Sequence, residues 1–267
     1  MPLMVTDLGR ILEEVRRSRP VVHAITNWVT ANDVANCLQA SGARPILAWA
    51  QEEVAEIVSR ADALVLNLGT PSPDKIKAML LAGRQANSLG KPVLFDPVGV
   101  GGSRLRMEAA RTILNEISLT VIKGNSAEIG CLAGQGGELR GIEAASGPPD
   151  LFQAAAALAQ SSRALVAASG TVDLVAWADE VLRIGNGHPL MGRLTGMGCM
   201  LTAIMAAFAA VESDRLRAAV AALAFFGLAG EKAAACSQGP GSFKPAFMDA
   251  LYHITPAQLQ AGAKIFS

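Results

Sequence analysis

The run Thr195-Gly196-Met197-Gly198-Cys199 places two glycines and a thiol directly before an apolar helix pattern over residues 200–211. Glycines two residues apart let the backbone turn tightly with nothing projecting from it. The free amides and the dipole of a helix N-terminus attract an anion there. The same field lowers the pKa of a thiol in the first turn, as we expect for Cys199. The run favours phosphoryl transfer to a small alcohol, although it also fits a loop entering a buried helix with Cys199 as a small apolar residue.

Two carboxylates and a lysine form a second group of candidates. Asp96 ends an apolar strand and is followed by Pro97-Val98-Gly99, so it either reaches magnesium or caps a turn. In the segment Lys123-Gly124-Asn125-Ser126-Ala127-Glu128, the glutamate fits an ordinary helix cap, or a partner of Asp96 at a hydrated magnesium ion. Lys123 could meet a nucleotide phosphate as a point charge, or lie on the surface.

Hydroxyl and amide groups follow two other predicted strands. Ser169-Gly170-Thr171 suits phosphate contacts but also a plain β-turn. Thr26 and Asn27 could bond a polar substrate, or cap a helix that starts near Thr30. His23, inside a strand pattern, is interpreted as structural, and the sequence does not decide whether His188 packs or contacts substrate.

The elements that would position these residues alternate between strand and helix patterns. Continuous apolar runs predict strands at 21–25, 45–48, 63–67, 92–96, 120–123 and 164–168. Helix patterns lie between them at 30–41, 51–61, 73–89, 104–117, 126–133 and 150–160. Residues 173–177 and 181–184 predict an edge hairpin through Ala178-Asp179-Glu180, residues 134–149 a glycine-rich loop, and the remainder is helical to the C-terminus.

This alternation predicts a single three-layer α/β/α domain over residues 1–267, with a mostly parallel central sheet. Ligands of such sheets bind outside the carboxyl ends of the strands. Five polar or glycine-rich strand ends converging on one edge are more informative than any one of them. That edge is therefore where we expect the site.

Composition excludes several classes of protein. The 267 residues carry 23 basic and 23 acidic side chains and no basic block, so nucleic acid is not an expected partner. Four widely spaced cysteines without a CxxC pair argue against zinc and disulfides and fit a reducing cytosol. The charged N-terminus lacks a signal-peptide pattern, and the longest apolar run, 199–211, is too short to span a bilayer. We expect a cytoplasmic protein with no membrane partner.

Taken together, the motifs resemble the hydroxyethylthiazole kinase family, whose fold is ribokinase-like. The resemblance extends over nearly the whole chain. It rests on six runs: His23-Ala24-Ile25-Thr26-Asn27, Asn67-Leu68-Gly69-Thr70, Phe95-Asp96-Pro97-Val98-Gly99, the segment 123–129, Asn186-Gly187-His188 and the run 195–199. The cysteine is specific, because most superfamily members carry aspartate at that position.

The resemblance implies ATP- and magnesium-dependent phosphorylation of 4-methyl-5-(2-hydroxyethyl)thiazole in thiamine salvage, by a homotrimer with active sites between subunits. It implies that Cys199 is the catalytic group, that Lys123 and Ser169 contact ATP, and that Gly196 contacts the thiazole. From the residues themselves we expect Asp96 and Glu128 to serve the metal, the amides of Gly196 and Gly198 to bind the nucleotide, and Asn27 to contact the substrate. The predicted substrate contacts also include Leu47, Gly69 and Thr70. Lys123 stands where some members carry arginine, and Leu47 where methionine is common.

Other functions remain open from the sequence. Another ribokinase-like kinase, acting on a hydroxymethylpyrimidine or a sugar, would share these motifs, as would an ATP-dependent dehydratase of the same superfamily. A nucleotide-binding regulatory module would keep the fold without turnover. A Rossmann dehydrogenase is disfavoured, because no GxGxxG follows the first strand.

Overall fold

A computed structural model describes residues 7–141, 143–178 and 180–266. Its strands are β1 (Val21–Ile25), β2 (Arg44–Ile46), β3 (Ala63–Asn67), β4 (Val93–Asp96), β5 (Val121–Asn125), β6 (Glu138–Arg140), β7 (Glu143–Ser146), β8 (Leu165–Ser169), β9 (Asp173–Trp177), β10 (Glu180–Ile184) and β11 (Ile265–Phe266). Nine of them form one sheet in the order β11-β10-β9-β8-β5-β4-β3-β1-β2, and β6 pairs with β7 in a separate two-stranded sheet. The pairs from β2 to β8 are parallel, and β9, β10 and β11 are antiparallel.

Helices cover both faces of the large sheet. They are α1 (Leu8–Ser18), α2 (Ala31–Ser41), α3 (Val54–Arg60), α4 (Pro73–Ser88), α5 (Arg104–Glu116), α6 (Ser126–Leu132), α7 (Leu151–Ser162), α8 (Met197–Ala209), α9 (Arg215–Ala235), α10 (Pro240–His253) and α11 (Pro256–Gly262). One apolar core joins the sheet to α1, α2 and α8 to α11, and a second core joins its other face to α3 to α7. The predicted three-layer α/β/α architecture is confirmed.

The strand predictions succeeded because parallel strands covered on both faces must be apolar at every position. β3 is buried along its whole length, as is β4.

Helix starts could also be predicted from the side chains that cap them. Ser72 accepts a hydrogen bond from the Lys75 amide at the start of α4, and Asn125 with Glu128 forms a capping box at α6.

Two predictions differ from the structure, and one helix was not predicted. The glycine-rich stretch 134–149 is not only a loop, because β6 and β7 form a small hairpin within it. The last helix does not reach the C-terminus, since α11 ends at Gly262 and β11 extends the sheet edge beyond β10. The charged N-terminal region contains α1, an amphipathic helix whose apolar side is buried. Asp179, in the predicted hairpin turn, lies outside the described residues.

One helix of the described chain, α9, is long and apolar enough to cross a bilayer by length and composition alone. It has 21 residues, and 78% of its most apolar window is buried inside the protein. The helix packs between α8, α10 and the sheet. It is therefore a core helix, as its pattern predicted.

The parallel strands bring the polar strand ends to one edge of the sheet. Asn67 and Asp96 are register partners on β3 and β4, and Asn125 faces Ser169 across β5 and β8. Thr26 and Asn27 follow β1, which pairs with β3. The predicted convergence at this edge is present, and α8 begins beside it.

Candidate active site

Cys199 lies in the first turn of α8, as predicted, although the helix begins three residues earlier than its apolar pattern. Gly196 is the N-cap with a φ of 97°, a conformation that favours glycine. A side chain there would also meet the Thr30 Cγ2 atom at 2.8 Å. The turn therefore depends on glycine both for its dihedral angle and for space.

Two amides from neighbouring strand ends hold the thiol. The Nδ2 atoms of Asn27 and Asn67 each lie 3.3 Å from Cys199 Sγ and donate to it. Asn27 Nδ2 also donates to Asn67 Oδ1 at 3.1 Å, and Asn27 Oδ1 accepts from the Thr30 amide. The thiol is thus fixed against the ends of β1 and β3, where a small polar substrate could approach it.

Asp96 is buried beside the thiol and is held through one oxygen. Its Oδ2 accepts from Asn67 Nδ2 at 2.8 Å and from Thr202 Oγ1 at 3.0 Å. Burial raises the pKa of Asp96, and the charge of Lys123 together with these two hydrogen bonds opposes that rise. The described hydrogen bonds fall on Oδ2, so Oδ1 can meet a cation.

Lys123 is buried rather than solvated, which excludes the surface alternative. Burial disfavours its charge, but Asp96, Glu128 and Cys199 outweigh that effect and raise the pKa of its ammonium. Its Nζ lies 2.7 Å from the position that a Cβ would take at Gly198. The ammonium therefore sits directly against the glycine turn, where an anion bound to the turn would meet it.

Glu128 caps the start of α6 and also interacts with the charges of Asp96 and Lys123. Its Oε2 accepts from the Asn125 amide and its Oε1 from the Gly99 amide, both at 2.8 Å. Burial and the nearby Asp96 raise its pKa to about 7, against the opposing charge of Lys123. The capping interpretation is confirmed, and the carboxylate also links the loop after β4 to α6.

The expectation of a lowered thiol pKa is wrong. Burial and the Asp96 carboxylate raise the pKa of Cys199, and Lys123 and the Asn67 hydrogen bond only partly oppose them. Desolvation of the thiolate and the neighbouring negative charge both favour the protonated thiol. Sequence reasoning missed this because it could not place Asp96 against Cys199.

Known proteins resemble this chain over nearly its whole length. A sequence profile of the hydroxyethylthiazole kinase family matches residues 12–257. A protein named hydroxyethylthiazole kinase from Thermoanaerobacter pseudethanolicus is 48% identical over 257 residues, which cover 96% of this chain and 97% of the relative. The chain belongs to the hydroxyethylthiazole kinase family.

Solved structures agree with this assignment. A structure of hydroxyethylthiazole kinase from Pyrococcus horikoshii OT3 superposes with a TM-score of 0.88 at 37% identity, covering 97% of this chain and 98% of that one. A ribokinase-like superfamily protein from Enterococcus faecalis is only 15% identical, with a TM-score of 0.64 over 91% and 93% of the two chains. That likeness shows the fold alone, which is ribokinase-like.

Four further predicted site residues end or follow the strands at this edge of the sheet. Ser169 ends β8, where its Oγ donates to the Gly124 carbonyl at 3.3 Å. The Gly69 amide donates to Asn67 Oδ1 at 3.0 Å. Thr70 Oγ1 accepts from the Trp28 amide at 3.4 Å. Leu47 follows β2 and packs against the same buried cluster as Cys199.

His23, which the sequence analysis interpreted as structural, and His188, which it left undecided, both have structural contacts. His23 Nε2 donates to the Ala48 carbonyl at 2.8 Å, and burial lowers the pKa of its imidazole. His188 Nδ1 accepts from the Leu190 amide at the start of a short 3₁₀ turn, Pro189–Arg193. Asn186, in the same family motif, donates to Glu231 and to the Gly262 carbonyl. This motif therefore joins α9 and α11 to the sheet.

Sequence reasoning missed four functional contacts. Asn67 was noted only as part of a polar strand end, yet it bridges Asp96 and Cys199. Thr202 lies one turn after Gly198, in an apolar run that hid it. Arg106 donates to the carbonyls of Leu68 and Val98 and so fixes the loops after β3 and β4. Lys75 donates to the Gly69 carbonyl from the first turn of α4. Helical spacing from the glycine turn could have indicated Thr202, but no sequence signal indicates the other three contacts.

The thiol pKa can be tested by alkylation. Iodoacetamide reacts with the thiolate, so the pH dependence of Cys199 labelling, read by mass spectrometry, reports its pKa. Because the Asp96 carboxylate raises that pKa, Asp96→Asn should move the labelling midpoint to lower pH. Asp249→Asn, which removes an exposed carboxylate on α10, should leave it unchanged. A midpoint in Asp96→Asn that stays in place or rises would contradict the assignment.

Proposed function

We propose that this chain transfers the γ-phosphoryl group of ATP to the hydroxyethyl oxygen of 4-methyl-5-(2-hydroxyethyl)thiazole. The product would feed thiamine synthesis by salvage. The observation that carries the proposal is the thiol of Cys199, held by two amides at a glycine-capped helix N-terminus with the Lys123 ammonium against the turn. An alcohol placed at the thiol would face a phosphoryl group placed at the turn.

Phosphoryl transfer needs positioning and charge neutralisation more than covalent help from the protein, because its transition state is loose. We propose that the amides of Gly196 to Cys199 bind the γ-phosphoryl oxygens, since the first turn of a helix leaves its amides without intrahelical acceptors. Lys123 would add a fixed positive charge at the same place. Ser169, at the end of the neighbouring β8, is proposed as a further nucleotide contact.

Cys199 is proposed to orient the substrate hydroxyl and to accept its proton late. In the resting site the raised pKa keeps the thiol protonated at neutral pH. One of the two causes of that rise is the Asp96 charge, so neutralising Asp96 favours the thiolate. We therefore propose that the thiol accepts a proton only when a bound cation neutralises the Asp96 charge. On the substrate side, we propose that Asn27, Gly69, Thr70, Leu47 and Gly196 surround the alcohol.

Asp96 and Glu128 fit a magnesium site of the type used with nucleotides. No group of three or more His, Cys, Asp or Glu side chains suited to a metal occurs in the described part of the chain. Magnesium bound with a nucleotide usually takes one or two carboxylates, with waters and phosphate oxygens as its other ligands. Asp96 Oδ1, which accepts none of the described hydrogen bonds, would bind the ion directly or through water. Glu128 would face the same ion. The ion would neutralise phosphate charge.

We also propose a homotrimeric assembly of these single-domain subunits, in the cytoplasm. Two large apolar side chains next to the site support the assembly, since Trp28 is 68% exposed and Val29 67% exposed. Adjacent exposed apolar residues beside a site favour burial against a partner. A neighbouring subunit would close the apolar side of the substrate site there. The four cysteines are free thiols, which suits a reducing compartment.

Substrate-dependent ADP release tests the activity. The purified protein, ATP and magnesium should release ADP with hydroxyethylthiazole and give the thiazole phosphate by mass spectrometry. Hydroxymethylpyrimidine and ribose, run in parallel, should give far less. Turnover with the pyrimidine or the sugar instead would contradict the substrate, and nucleotide binding without turnover on any alcohol would contradict the enzyme.

Substitution of the thiol tests its role. Cys199→Ala should lower kcat by roughly 10²- to 10⁴-fold, the range for loss of a proton-transfer group, with little change in the KM for ATP. Cys199→Asp should retain activity, because an aspartate at this position can accept the same proton. Steady-state kinetics on both variants separates these effects. Wild-type kcat in Cys199→Ala would show that the thiol accepts no proton.

The assembly is tested by sedimentation. The wild-type chain should sediment with three times the mass of one subunit. Trp28→Asp, which puts a charge into the proposed interface, should shift the protein toward monomer, whereas Phe152→Asp, at another exposed aromatic residue on α7, should leave the mass unchanged. A monomeric wild type, or a trimer unaffected by Trp28→Asp, would contradict this interface.

A further inference from the structure

A small cavity opens at the ends of β1 and β2, next to the start of α4. Its volume is about 220 Å³, and its lining residues are Thr26, Trp28, Trp49, Ser72, Asp74 and Lys75. The rings of Trp28 and Trp49 meet edge to face, with centroids 4.4 Å apart. This volume is below the roughly 300–1,000 Å³ of pockets for drug-sized ligands, so it suits a single ring.

Lys75 occupies a position that is unfavourable for a positive charge. It lies in the first turn of α4, where the helix dipole opposes a cation, and only 6% of the residue is exposed. Its Nζ donates to the Gly69 carbonyl at 2.7 Å, and none of the ion pairs in the described part of the chain includes it. Burial lowers its pKa to about 8, partly offset by Cys199. One hydrogen bond leaves two donors of this ammonium for a ligand.

Thr26 contributes a second unsatisfied group to the same cavity. The residue is 4% exposed, and its Oγ1 has no hydrogen-bond partner among the described residues. A buried hydroxyl without a partner costs free energy, because it has lost its hydrogen bonds to water. Thr26 and Lys75 both line the cavity, so each is a candidate donor to a ligand acceptor placed there.

Both donors are connected to the catalytic group. Thr26 directly precedes Asn27, whose amide donates to Cys199 Sγ. Lys75 holds Gly69, whose own amide donates to Asn67, the other amide on the thiol. A ring seated in the cavity would thus lie next to the point where its hydroxyethyl arm must reach the thiol.

We propose that Lys75 and Thr26 are specificity-determining residues, which bind the acceptor nitrogen of the substrate's heteroaromatic ring beside Trp28 and Trp49. This inference rests on the proposed function and names what selects its substrate. A neutral acceptor fits better than an anionic group, because the Asp74 carboxylate lines the same cavity and offsets the single ammonium. An anion would meet that carboxylate, whereas a ring nitrogen needs only a donor.

A comparison of two ligands tests the proposal. One is hydroxyethylthiazole, and the other is its thiophene analogue, in which a C–H replaces the ring nitrogen. Binding is read by tryptophan fluorescence, with and without a non-hydrolysable ATP analogue. A Trp177→Phe background leaves only Trp28 and Trp49 of the three tryptophans. The wild-type cavity should bind the thiazole roughly 5- to 100-fold more tightly, the effect of leaving a buried donor unpaired.

The variants separate recognition from folding. Lys75→Met should bind both ligands with nearly equal affinity, and Thr26→Val should lose part of the preference. Lys75→Arg, which keeps a charged donor, should retain more of the preference than Lys75→Met. Lys77→Met, an exposed lysine on the same helix, is the matched control and should behave as wild type. If Lys75→Met fails to fold, Thr26→Val and Lys75→Arg still give the comparison.

The outcomes distinguish this inference from the proposed function. Equal wild-type affinity for the two ligands, no binding of either, or a full preference kept in folded Lys75→Met would overturn the role of Lys75. ADP release from the thiazole without any preference would overturn this inference and leave the kinase function intact. Preferential binding without ADP release would support the cavity and contradict the kinase function.

Discussion

The buried ammonium of Lys123 is the charge on which the rest of the site depends. It faces Asp96, Glu128 and Cys199, three groups that burial alone would hold in their neutral forms. It also lies against Gly198, where any side chain would displace it. One cation thus opposes the rise in the pKa of both carboxyl groups and adds positive charge beside the glycine turn at the helix N-terminus. Both effects favour the binding of a phosphate and a metal ion.

The parallel sheet connects this charge to the thiol. Asn67 and Asp96 are register partners on adjacent strands, so the Asn67 amide reaches the carboxylate and the thiol together. Thr202 approaches Asp96 from α8 and also donates to the Gly198 carbonyl. The metal-side carboxylate, the glycine turn and the thiol therefore share hydrogen bonds. A shift of one strand by a single residue would separate them.

The sequence predicted the architecture well, because buried parallel strands and capped helices leave strong local patterns. It also predicted that Asp96, Lys123 and Ser169, at the ends of their strands, gather at one edge. It failed where the outcome depended on distances between segments. The raised thiol pKa follows from burial and from Asp96, which lies 103 positions earlier in the chain, and Asn67 gains its role only through strand register. The β6–β7 hairpin and β11 escaped because short strands with polar residues carry little periodic signal.

The most direct measurement is a crystal structure with ADP, magnesium, a phosphoryl-group mimic and hydroxyethylthiazole bound together. The account predicts that the mimic lies against the amides of Gly196 to Cys199 with Lys123 Nζ beside it. It also predicts that the alcohol oxygen lies within hydrogen-bonding reach of Cys199 Sγ, about 4 Å or less for sulfur. A mimic bound away from the turn, or an alcohol oxygen facing a different proton acceptor, would contradict the central role of this charged helix end.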